Sequence, residues 1–192
     1  MDITRIDPTD RAAVFRTLVA AFRDDAVERW LYPTDDAYDR HFPAFVEAFG
    51  GRAIDAGTAW RVGDFEAVAL WFPPGVEVDG PAVVEVLLDT VDRNLHDDVL
   101  ATLAEMDAAH PRPPHWYLPW LGVRPDRRGG GLGGLLLGDG LARVDATGHP
   151  VYLETPNPRT VHLYERHGFT VTGHTENAAC PPITFMWRSA MR

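Results

Sequence analysis

Apolar residues recur along this chain at two spacings, and each spacing points to a type of element. Val14, Phe15, Leu18, Val19 and Phe22 share one helical face just after Pro8-Thr9-Asp10, a triplet suited to opening a helix. Residues 36–49 repeat the pattern with Tyr38, Phe42, Phe45, Val46 and Phe49, stopped by Gly50-Gly51. From 82 to 109 apolar and acidic residues alternate at helical spacing, with a break near Asn94. Helices are also predicted over 131–147, where Leu132, Leu136 and Val144 lie on one side, and over 158–167, stopped by Gly168. Strands are predicted near Ile3 and Ile6, at 58–62 and 65–72 as a hairpin around Gly63-Asp64, and at 151–153, 169–172 and 183–187. The order is mixed α+β, ending in a β-α-β-α-β-β tail.

One segment breaks the rules. Residues 115–123 have the aromatic content of a buried strand, yet contain Pro119. Proline removes a ladder donor and belongs at an edge or a bulge. The strand must be interrupted there, or its neighbour must diverge.

Composition narrows the chemistry. The 192 residues fit one domain, 1–192, with no linker dividing them. There is no lysine, so neither a Walker A phosphate loop nor lysine Schiff-base chemistry is available. The lone serine, Ser189, lies near the end of the chain, far from any nucleophile elbow. Cys180, the only cysteine, cannot form an internal disulfide, which suits a reducing, cytoplasmic setting. Charged residues occupy the start of the chain, where a secretion signal needs an apolar run, and no membrane-spanning stretch is present. The net charge of −10 argues against nucleic acid as a partner. The eight histidines are scattered, and no metal site is expected.

Against this acidic background, Arg124, Arg127 and Arg128 adjoin the run Gly129-Gly130-Gly131-Leu132-Gly133-Gly134. Each glycine inside a helix costs about 1 kcal/mol relative to alanine. A helix needing only stability would not be written this way. The first turn leaves four N–H groups without partners and carries a partial positive charge, so bare glycines there let a phosphate approach the backbone. Gly129, Gly131 and Gly134 also satisfy G-x-G-x-x-G, with Glu154 twenty residues beyond, as in a dinucleotide-binding turn. Five residues separate Val123 from Gly129, however, and too little chain follows to complete a doubly wound sheet.

The string Val123-x-Pro125-x-x-Arg128-x-x-Gly131-x-Gly133, followed by Leu135-Leu136, resembles the acyl-CoA motif of the GNAT superfamily of N-acyltransferases. The later residues Leu153-Glu154-Thr155-x-Asn157 and Leu163-Tyr164-Glu165-Arg166-x-Gly168-Phe169 are similar to that superfamily's next motif. The resemblance covers roughly 116–169. It implies a central mixed, mostly antiparallel sheet with splayed middle strands, flanked by helices. It implies acetyl-CoA, or another acyl-CoA, as co-substrate. Leu121, Gly122 and Val123 would then lie along the pantetheine arm. Arg128, Gly129, Gly130, Gly131, Leu132, Gly133 and Gly134 would surround the pyrophosphate. Asn157 would contact the cofactor, and Tyr164 would stand near the thioester sulfur.

Other roles are open to two of these residues. Asn157 before Pro158 makes a good helix cap, and Tyr164 suits a core position against Val161 and Phe169. A phenol can protonate a leaving thiolate, while the attacking amine must lose a proton to a base. Glu154 is the first candidate for that base and His115 the second. The function expected is acetyl transfer to the amine of a small molecule or peptide by direct attack, in a monomer or homodimer. The acceptor would be held by the N-terminal helices and residues 71–75. A non-catalytic acyl-CoA sensor is the alternative, and needs neither Tyr164 nor a base.

Overall fold

The computed structural model describes residues 2–191. β1 (Ile3–Arg5) precedes four helices, α1 (Arg11–Ala21), α2 (Ala26–Leu31), α3 (Asp35–Gly50) and α4 (Arg52–Asp55). The hairpin of β2 (Ala59–Val62) and β3 (Ala67–Phe72) leads to α5 (Gly80–Thr90) and α6 (His96–Ala109). Then come β4 (Trp116–Val123), α7 (Leu132–Asp145), β5 (Val151–Thr155), α8 (Pro158–Arg166), β6 (Thr170–His174) and β7 (Thr184–Arg188). The strands form one sheet in the order β1-β2-β3-β4-β5-β7-β6. Every pairing is antiparallel except β4 with β5.

The sheet separates two apolar cores. On one face Val14, Leu18, Tyr38, Phe42 and Val46 of α1 and α3 pack with Trp120, Val68 and Leu70. On the other, Leu132, Leu136, Leu137, Leu141 and Val144 of α7 pack with Ala69, Trp71, Leu118 and Leu153. β3 is buried at all six positions because helices cover both of its faces.

β4 resolves the conflict over Pro119. Tyr117 stands opposite Phe72 and Trp120 opposite Leu70, so Leu118 and Pro119 together face only Trp71. This is a β-bulge, and the extra residue reverses the alternation of faces. Tyr117 and Trp120 therefore join the same core, while Leu118 joins the other. Pairing with β5 covers only Trp116 to Leu118. Beyond that point β4 follows β3 to Val123, and β5 follows β7 to Thr155. Both expectations for the proline hold: the ladder is interrupted and the neighbour diverges.

Two helices go beyond the sequence pattern. α2 and α4 have six and four residues, too short for a face to repeat. The helical stretch at 82–109 divides into α5 and α6 around Asn94, as its break implied. Among the described residues no helix is long and apolar enough to cross a membrane.

Gly140 shows how tightly α7 sits on the sheet: a Cβ there would fall 2.5 Å from Trp71 Cζ2. Trp71 is fully enclosed and cannot yield. Gly140→Ala is expected to destabilise the protein by about 1–3 kcal/mol through overpacking, read as a lower denaturation midpoint at unchanged slope.

Candidate active site

The divergence of β4 and β5 leaves a gap whose β4 edge has a defined polarity. Arg124 N–H donates to the Glu66 carbonyl at 2.9 Å. Antiparallel ladders alternate, so Gly122 and Trp120 also turn their peptide groups toward β3, and Leu121 and Val123 turn theirs toward the gap. Gly122 has a packing reason of its own, since a Cβ there would lie 2.8 Å from Leu18 Cδ2 on α1.

α7 begins beside this edge. The first backbone bond of its opening turn runs from Leu135 N–H to the Gly131 carbonyl, 3.0 Å. The N–H groups of Leu132, Gly133 and Gly134 precede it and have no carbonyl one turn back. Gly129 and Gly131 hold φ of 81° and 78°, the left-handed region that favours glycine. A Cβ on either would meet nothing within 4 Å. At Gly133 and Gly134 it would only touch Val123 and Leu163, at 3.5 and 3.6 Å. Protein packing therefore does not require this bareness, in contrast to Gly140. The three arginines differ as well. Arg124 pairs with Asp126 at 2.9 Å and Arg127 with Glu66 at 2.9 Å, whereas Arg128 donates to the Ala21 carbonyl at the end of α1. Among the described residues Arg128 alone of the three has no carboxylate within ion-pair distance.

One cleft of about 930 Å³ joins these features. Leu121, Gly122, Val123, Arg128, Gly129, Leu132, Glu154, Asn157 and Tyr164 line it, as do Gly131, Gly133 and Gly134, while Gly130 does not. Glu154 Oε2 accepts from the Tyr117 hydroxyl at 2.8 Å, and Oε1 from Tyr152 at 3.0 Å. Burial drives its pKa from 4.5 to about 7, against the opposing pull of the two phenols. Tyr164 takes the core position against Phe169 and also reaches the cleft. Its ring packs edge-on against that phenylalanine at 5.8 Å. Burial raises its pKa, so the phenol keeps its proton at neutral pH. Asn157 caps α8, its Oδ1 accepting from Arg159 N–H at 3.0 Å. His115 is not brought to the cleft. It bonds the Pro113 carbonyl and His110 behind the tyrosine pair, because β4 enters the sheet from that side.

A profile of the acetyltransferase (GNAT) family matches residues 82–169, from within α5 to the residue before β6. An uncharacterized N-acetyltransferase of Schizosaccharomyces pombe is 28% identical over 183 residues, covering 88% of this chain and 74% of that protein. The crystal structure of histone acetyltransferase HPA2 and related acetyltransferase from Corynebacterium glutamicum superposes with a TM-score of 0.68. That match covers 99% of this chain and 96% of the other at 26% identity. Residues 82–169 match the GNAT family, and the whole chain has the GNAT fold. Arylalkylamine N-acetyltransferase 2 from Aedes aegypti shares the GNAT fold at 12% identity, with a TM-score of 0.69 over 99% of each chain.

The rest of the cleft wall meets expectation in part: the N-terminal helices line it, through Ala21, Phe22, Phe45 and Phe49. Residues 71–75 do not line it, since Trp71 is sealed beneath α7 on the opposite face. Further wall comes from Asp24, Asp25, Val27, Glu28, Trp30 and Leu31, and from Leu87, Val99, Thr102, Leu103 and Met106 of α5 and α6. Asp25 and Glu28 were not singled out in the sequence, although Asp25 caps α2 by accepting from Val27 N–H at 3.0 Å. That capping aspartate was the one available signal for α2.

Glu154 has a stability signature. Its folded pKa of about 7 exceeds the unfolded 4.5, so the folded state binds more protons between those values. Stability relative to Glu154→Gln should therefore fall as pH rises from about 4.5 through about 7, by up to roughly 3 kcal/mol, and stay flat outside that window. Paired denaturant melts across that range measure the difference.

Proposed function

We propose that this N-acetyltransferase moves an acetyl group from acetyl-CoA to the neutral amine of a small molecule or peptide, by direct attack in a ternary complex. The observation that carries the proposal is the junction of two bare backbones in one cleft: the gap-facing peptide groups of Leu121 and Val123, and the uncapped start of α7. A strand-like amide arm fits the first and a diphosphate the second. Acetyl-CoA supplies the activated thioester.

Arg128 and the N–H groups of Leu132, Gly133 and Gly134 bind the diphosphate. Its charge is met by the α7 dipole and one guanidinium that no carboxylate neutralises. Leu121 and Val123 hold the pantetheine arm as a strand would, while Gly122 keeps its peptide groups on β3. Glu154 removes the proton from the acceptor nitrogen, since a base with pKa of about 7 is half ionised at neutral pH. Tyr164 gives its proton to the departing sulfur, and a β4 peptide N–H meets the negative charge that develops on the acetyl oxygen.

Gly133→Val should weaken acetyl-CoA binding at least about tenfold by calorimetry while leaving the fold intact, because its side chain enters the space reserved for phosphate. Failure of the wild-type protein to bind acetyl-CoA would overturn the proposal. Tyr164→Phe should lower kcat by about a hundredfold with acetyl-CoA affinity unchanged; a non-catalytic sensor would show no thiol release in either form. The base acts only when ionised, so kcat/KM should climb about tenfold per pH unit below about 7 and level off above it. In Glu154→Gln that limb should disappear.

A further inference from the structure

Glu28 is unlike the other carboxylates of this protein. It lies on α2, is 5% exposed, and lines the cleft. Among the described residues its Oε2 is enclosed without any hydrogen-bond partner. Burial and the neighbouring Asp25 both raise its pKa well above the carboxylate range, and no cation opposes them. Arg29 turns its Nη2 to the Pro33 carbonyl and Asp35, its Nη1 being enclosed without a partner among the described residues, and Arg23 turns to Asp39. Arg127 and Arg128 are held by Glu66 and the Ala21 carbonyl. A carboxyl enclosed in this way keeps its proton until a cation arrives to take its place.

The cleft itself says what that cation is. Glu154 is already placed to accept the proton of the nitrogen that attacks, and an attacking nitrogen is neutral. A simple monoamine therefore has no charge left for Glu28. A second basic nitrogen does. Leu87, Val99, Leu103 and Met106 of α5 and α6 line the same cleft and suit an apolar spacer between the two nitrogens.

We propose that Glu28 determines acceptor specificity, its carboxylate holding a second, cationic nitrogen of a diamine-type acceptor whose other nitrogen is acetylated. This rests on the acetyl-transfer function assigned to the cleft. In the bound state the ammonium neutralises Glu28 from the cleft side.

Hexamethylenediamine and n-hexylamine share one spacer and differ by a nitrogen, which makes them the probes. Their binding to the full chain is measured by calorimetry, with free CoA present so that no turnover occurs. The wild-type protein should bind the diamine at least about thirtyfold more tightly than the monoamine. Glu28→Gln should bring the diamine to the level of the monoamine, leave CoA affinity unchanged, and melt no lower than the wild type. Equal binding of the two probes by the wild-type protein, or a diamine preference that survives Glu28→Gln, overturns the proposal, and the first comparison requires no variant. Failure of acetyl transfer would show separately, as absence of thiol release when acetyl-CoA replaces CoA.

Discussion

The parting of β4 from β5 after Leu118 is the constraint on which the rest of the site depends. A buried sheet pairs its peptide groups because each one left unsatisfied costs about 1–3 kcal/mol. Here the bulge at Leu118 and Pro119 ends the parallel pairing after three residue pairs and turns the edge of Leu121 and Val123 toward a gap. Proline is tolerated because the ladder is already broken where it stands. The same bulge reverses the faces of β4, placing Trp120 among Phe22, Phe42, Phe45 and Phe49 and thereby fixing α1 and α3 against the strand.

The glycines separate into two physical kinds. Gly50, Gly122 and Gly140 are glycine because a neighbouring side chain occupies the place of a Cβ: Trp120, Leu18 and Trp71 respectively. Gly129 and Gly131 have open space and a left-handed backbone, and Gly133 and Gly134 have only ordinary contacts. The first kind brings helices onto the sheet. The second leaves a helix start uncovered where the cleft passes it, an arrangement suited to an anion.

Electrostatics divides the cleft along similar lines. Arg128 and the α7 start present positive charge, and Glu154 and Glu28 present carboxyls deprived of water to different degrees. Glu154 is relieved by two phenols and settles near neutrality, where a base is most useful. Glu28 has no such relief. Cys180, by contrast, is buried with its thiol pushed up to about 11, so it stays protonated and takes no part as a nucleophile.

Much of this was legible in the residues in order. Helical and alternating spacings located α1, α3, α7, α8 and the strands, because those elements are long enough or apolar enough for a period to show. The glycine run, Arg128 and Pro119 pointed to a bare helix start and a broken strand, because local backbone rules respond to single residues. Tertiary structure alone decided the remainder. It explained Gly140 by Trp71, excluded His115 and residues 71–75 from the cleft, and supplied α2 with Glu28. Those outcomes depend on which surfaces meet across the sheet and on how much water they exclude, and one-dimensional spacing carries neither quantity.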